Sequence, residues 1–183
     1  GGVTCFGTHN WTECILKGNT ATTNGGVSWE GNHTWVRCVL NKNEASEGGV
    51  AHGDNEYTHE WTNCSISMNN SADEILYDDN GARLLTVNNC ILAGKLLAGA
   101  AQGSNLIGNC LLTDVIDTYG VGDATFEACI DQKPPLFIDD ELRIDKKSLA
   151  VDAGNSGLWQ ENSQNMSVTI NGFVDIGAYE LPR

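Results

Sequence analysis

The chain has 183 residues, of which 19% are charged and 40% hydrophobic, with 21 Gly and only 3 Pro. That suits one domain with a buried core and excludes a disordered or collagen-like chain. Ten Lys and Arg against 24 Asp and Glu leave a formal charge of −14, so neither nucleic acid nor an anionic membrane surface is an expected partner.

Taken from the start, the chain opens GGVTC with no initiator Met and no signal peptide, and it reads as a mature or excised piece of a longer protein. HNWTEC at residues 9–14 then returns as HTWVRC at 33–38 and HEWTNC at 59–64. A large apolar residue three before Cys recurs six times: Trp11/Cys14, Trp35/Cys38, Trp61/Cys64, Val87/Cys90, Ile107/Cys110 and Phe126/Cys129. Two residues after the first five Cys stand Leu16, Leu40, Ile66, Leu92 and Leu112, and Asn19, Asn43 and Asn69 follow in the first three copies. GGV precedes each of those three copies. Self-similarity at roughly 20–26 residues is the mark of a solenoid.

The apolar runs between Gly- and Asn-rich turns are too short for paired helices, and Cys and Leu two apart share one face of a strand. The expected fold is therefore all-β: a right-handed parallel β-helix, a pectate-lyase-like solenoid. About six coils are expected over residues 1–130, with a C-terminal coil and capping segment over 131–183. Equal offsets then stack as ladders. The six repeat Cys become an interior column of small apolar residues. Parallel Cβ atoms one coil apart are too distant for a disulfide. Ile15, Val39, Ser65, Ile91, Leu111 and Ile130 face outward, and such an apolar stripe needs a cover, either the 131–183 tail or a partner.

Repeat and tail together resemble known proteins. GGV with LKGN, LNKN and ISMN is similar to the GGA[ILV] and FxxN repeats of polymorphic outer-membrane proteins. PPLFIDDELRIDKKSLAVDAGN followed by VDIGAYE resembles the closing segment of bacterial secreted β-helix proteins with PbH1 repeats, including the choice-of-anchor Q group. The resemblance implies an exported, cell-surface setting. After Gly154 the sequence NSGLWQENSQNMSVTING departs from that pattern, so no role is carried over to that loop.

His9, His33 and His59, with Trp11, Trp35 and Trp61, are the candidate ligand-binding residues. Parallel imidazoles do not converge as a zinc site requires, and no metal site is expected. An interior stack is the bland reading, because this offset usually faces the core in repeat proteins. An exposed Trp–His strip suited to sugar rings is the functional one. Trp29 and His52 fall off these ladders. The column Glu13, Arg37, Asn63, Asn89, Asn109, Ala128 offers one ion pair and then amides. Remaining acids (Asp54, Glu56, Glu60, Asp73, Glu74, Asp78, Asp79) read as solvated loops, with weak calcium binding conceivable at Asp78 and Asp79 only. No catalytic residue and no cofactor is expected.

A lyase acting on uronates needs a base and cations, and the repeat region offers Lys17, Arg37, Lys42, Arg83 and Lys95. The expected function is a non-catalytic surface scaffold that binds polysaccharide or a neighbouring envelope protein. Its alternatives are a polysaccharide lyase or glycoside hydrolase with catalytic coils in a missing N-terminal portion, and a structural stalk or filament subunit. The coil that begins at GGVTC is expected to pack on N-terminal coils of the same protein or on another subunit.

Overall fold

A computed structural model of the chain describes residues 2–47, 49–53, 57–67, 76–78, 85–94, 106–113, 125–131, 133–158 and 174–179. The first coil lays down β1 (Thr4–Cys5), β2 (Thr8–Thr12) and β3 (Ile15–Lys17). The second repeats this with β4 (Ser28–Trp29), β5 (Asn32–Val36) and β6 (Val39–Asn41), and the third with β7 (Ala51–Gly53), β8 (His59–Thr62) and β9 (Ser65–Ser67). The next carries β10 (Leu76–Asp78), β11 (Leu85–Asn88) and β12 (Ile91–Ala93), followed by β13 (Leu106–Gly108), β14 (Leu111–Thr113) and β15 (Thr125–Glu127).

These strands form three sheets, ordered β1-β4-β7-β10, β2-β5-β8-β11-β13-β15 and β3-β6-β9-β12-β14. Every neighbouring pair is parallel. The molecule is a parallel β-solenoid, as its repeat period predicts. No helix among the described residues is long and apolar enough to cross a membrane.

Registers match the repeat offsets. Trp11 pairs with Trp35 and Trp35 with Trp61, continuing through Val87, Ile107 and Phe126. Leu16, Leu40, Ile66, Leu92 and Leu112 form the facing ladder. Both ladders, apart from the exposed Phe126 at the far end, and the six repeat cysteines belong to one buried cluster. Each fully buried aliphatic or aromatic side chain in it contributes about 1.5–3 kcal/mol.

The bend between the second and third sheets takes a single residue in the left-handed region. Glu13, Arg37, Asn63, Asn89, Asn109 and Ala128 all have φ between 50° and 54°. Asn tolerates that conformation better than other non-glycine residues, which explains three of the six. Arg37 and Glu13, at the same bend one coil apart, form an ion pair at 2.9 Å with the guanidinium buried. The column that the sequence offers as one ion pair and then amides thus holds that pair, and the property all six positions share is backbone conformation.

Cysteine has a specific task immediately after the bend. Each thiol donates to the carbonyl two residues back, as in Cys38 to Val36 O at 3.4 Å and Cys90 to Asn88 O at 3.1 Å. Cys90 and Cys110 Sγ also accept from the backbone N–H of Cys64 and Cys90, at 3.3 and 3.4 Å. A weak donor and acceptor on a small apolar side chain thus satisfies groups that the tight corner leaves over. All seven cysteines are free thiols.

Elsewhere coils approach too closely for a side chain. A Cβ on Gly26 would stand 2.1 Å from the carbonyl oxygen of Gly49. Asn43 closes the next turn, its Oδ1 accepting from Asn19 N and Nδ2 while its Nδ2 donates to Leu16 O. The third rung, Asn69, lies outside the described residues.

The outward stripe has its cover. Ile91 and Leu111 pack with Ile144, Ala150 and Ile176 of the C-terminal segment, and Val39 packs with Leu142 and Ala178. Asn89 bonds Asn155 twice, and Asp140 bridges Lys17 and Lys42 at 3.0 Å each. Those two ammonium groups, Lys42 foremost, hold the Asp140 carboxyl below its usual range. Ile15, in the first coil, stays 50% exposed, whereas Val39 one coil on is 1% exposed.

Candidate functional site

The His-x-Trp column points inward. Strand alternation puts His and Trp two apart on one face, and in β5 and β8 that face is the interior. Trp35 and Trp61 are 0% exposed, and His33 and His59 are buried with them. Of the two readings of this column, four of its six residues follow the interior stack: Trp35, Trp61, His33 and His59 present no surface to a ligand. The physical reason is that the interior must be filled, and a coil this wide is filled by rings. His9 stacks on His33 with centroids 5.2 Å apart, His33 on His59 at 5.4 Å, and Trp11 on Trp35 at 5.2 Å.

Hydrogen bonds fix the tautomer of His33. Its Nε2 lies 2.9 Å from Glu30 O, and a carbonyl only accepts, so the proton is on Nε2. Nδ1 is then a bare acceptor, buried and without a hydrogen bond among the described residues. Burial lowers the pKa of His33; the bond to Glu30 opposes this and the neighbouring His9 adds to it. His9 Nε2 makes the equivalent contact to Phe6 O at 2.6 Å and also lies 2.9 Å from Thr4 Oγ1.

Only in the first coil does the column reach the surface. His9 and Trp11 are half-buried, because each is stacked on one face alone. Beside them Val3, Phe6 and Ile15 are exposed. Strands β1, β2 and β3 each end their sheet here. Asn32 N donates back to Gly7 O, and alternation of N–H direction along a parallel strand places the Thr8 and Asn10 amides at the equivalent open edge of β2. This end, which combines free strand edges, bare ring faces and apolar side chains, is the candidate functional site.

Other candidate groups are placed elsewhere. Lys17, Lys42 and Arg37 are engaged in the ion pairs described above; Arg83 and Lys95 lie outside the described residues. Glu60 is exposed on the outer face of β8. Asp54, Glu56, Asp73, Glu74 and Asp79 lie outside the described residues, and of Asp78 only the backbone, in β10, is described. Among the described residues no group of three His, Cys, Asp or Glu could hold a metal ion.

The thiol column is chemically quiet. Burial pushes the Cys90 thiol well above its ordinary value, and neighbouring Cys110 and Cys64 act in the same direction. Its neighbours in the column are other thiols and buried apolar side chains, so burial keeps the Cys90 thiol neutral. Cys5, exposed in β1, shares a register with Trp29, His52 and Tyr77. Trp29 and His52 are thus rungs of the first sheet, which the sequence reading missed because that ladder holds four different residue types. Comparison with protein-family models, curated proteins and solved structures returned no match.

Proposed function

We propose that this chain is a non-catalytic β-solenoid scaffold of an exported bacterial cell-surface protein. In this reading the open edge of its first coil is met end-on by a further parallel β-coil, supplied either by preceding coils of the same protein or by a neighbouring envelope protein. One observation carries the proposal: three strand edges end together around exposed Val3, Phe6 and Ile15 and the uncovered ring faces of His9 and Trp11. Free edges above an apolar interior are what strand addition uses, with main-chain bonds giving affinity. The strongly acidic charge disfavours side-by-side contact and leaves this end as the apolar route. The exported bacterial setting rests on the resemblance of GGV and VDIGAYE to secreted PbH1-repeat and choice-of-anchor Q segments.

A polysaccharide ligand would have only His9 and Trp11 of the six candidate residues to bind. A lyase would have to find its cations elsewhere than at Lys17, Lys42 and Arg37, which are committed to ion pairs.

A second copy of this chain is the simplest bearer of a matching coil. Light scattering across a concentration series is therefore expected to show association. Asn10→Pro, which removes an open-edge N–H without touching a bond to β5, is expected to abolish it with little change in melting temperature. A chain that stays monomeric at every concentration contradicts the proposal.

A further inference from the structure

We propose that the first coil selects its partner by sequence: the coil it accepts is a further Gly-Gly-Val repeat, with glycine over Gly2 and asparagine over Asn19. This inference rests on the docking reading above and names the chemistry of the coil that docks.

Continuity of the coil-to-coil contact carries it. The contact between the first and second coils recurs in the same register between the second and third, and an added coil meets the same surface. A Cβ on Gly2 would stand 2.3 Å from the carbonyl oxygen of Gly26, and one on Gly26 would stand 2.1 Å from that of Gly49. At both steps the carbonyl of the following coil leaves no room for a side chain. Gly2 presents the same carbonyl at the open end, so the residue placed over it must also lack a Cβ.

The main chain beside these glycines continues the pattern. Val3 N and Thr4 N donate together to Val27 O, at 2.9 and 3.0 Å, and Val27 N and Ser28 N donate together to Val50 O, at 3.0 and 2.9 Å. Val3 O is the next acceptor in that row, and among the described residues no backbone amide reaches it. It is placed to receive two consecutive N–H groups from a coil of the same kind.

Asparagine sets the second requirement. Asn43 Oδ1 accepts from Asn19 N at 3.1 Å and from Asn19 Nδ2 at 2.9 Å. Asn19, half-buried one coil earlier, has no donor on its own Oδ1 among the described residues. An asparagine in the added coil supplies both donors, whereas an aliphatic residue supplies its N–H alone.

The ring positions discriminate less. Leu85 and Val87 pair with His59 and Trp61 farther along, so an apolar side chain of another shape also continues the column. A second copy of this chain meets only this looser condition. Its far edge offers Phe126 in the Trp column. Gly-Gly-Val does not recur after residue 50, and Pro134 stands five residues after Cys129, where Asn19 stands five after Cys14. Association between copies is therefore the weaker form of docking.

The test adds one coil to the full chain, as a second copy of residues 2–25 placed ahead of Gly2. With that repeat intact, hydrogen exchange of the Thr8 and Asn10 amides is expected to slow about a hundredfold. Gly2→Ala made in the added coil alone is expected to abolish the slowing, and Asn19→Ala made there to lose about tenfold of it. Both changes lie outside the original chain, and unchanged β14 amides report that its fold is kept. Equal slowing with and without the two alanines would overturn this inference and leave the docking reading standing. An intact added coil that slows neither amide would overturn the docking reading and this inference with it.

Discussion

The backbone N–H of Ala178 donates to Ser65 Oγ at 3.0 Å, across 113 residues of chain. Ser65 is the one polar member of the outward stripe Ile15, Val39, Ser65, Ile91, Leu111 and Ile130. It stands where the C-terminal segment brings an amide that would otherwise be buried without a partner. A Cβ on Gly177 would meet Ser65 Oγ at 2.8 Å and Ile91 Cδ1 at 2.9 Å, so the tail lies against the sheet at this point.

Ser65→Ala should therefore cost about 1–3 kcal/mol through the orphaned amide. Gly177→Ala should cost more, since it adds a clash to a φ of 112°. Chemical denaturation of both variants checks the order, which an undocked tail would erase.

Trp35→Ala should lose about 3–5 kcal/mol, as expected for an aromatic removed from a packed interior. Trp11→Ala, with one ring face already bare, should lose less. Thermal melts compare the two directly, and equal losses would mean that the first coil is as enclosed as the second.

Thiol labelling separates the cysteines by depth. Cys5 should react at once, Cys14 and Cys129 more slowly, and Cys38, Cys64, Cys90 and Cys110 only after denaturation. Mass spectrometry after timed alkylation gives the order; a disulfide between any ladder pair would break the assigned register.

Asn89 combines the left-handed bend with a clasp on the tail, donating to Asn155 O and accepting from Asn155 N. Asn89→Ala should cost about 2–3 kcal/mol from lost hydrogen bonds and backbone strain. Asn109→Gly, which keeps the conformation freely available, should be close to neutral. Denaturation midpoints with an unchanged slope would confirm both.

The ladders of Trp, Cys, Leu and Asn were legible because a solenoid repeats side chains wherever the packing repeats. The bend was not, because Glu13, Arg37, Asn63, Asn89, Asn109 and Ala128 share φ rather than chemistry; the three Asn were the available clue. The cysteine–carbonyl bonds were hidden for a related reason, since a thiol's hydrogen bonding leaves no mark on spacing. The outward stripe showed that sheet β3-β6-β9-β12-β14 needed a cover. That the cover is the tail depends on contacts such as Ser65–Ala178, which no local pattern encodes. Whether His and Trp face in or out was likewise a matter of which side of the strand closes the coil.

The most direct test of the first coil as a docking end is residue-resolved hydrogen exchange on the chain before and after association. The account predicts that the Thr8 and Asn10 amides exchange rapidly in the dissociated chain and become slow on association, with β14 unchanged. Association that leaves those two amides fast while protecting another surface would contradict it.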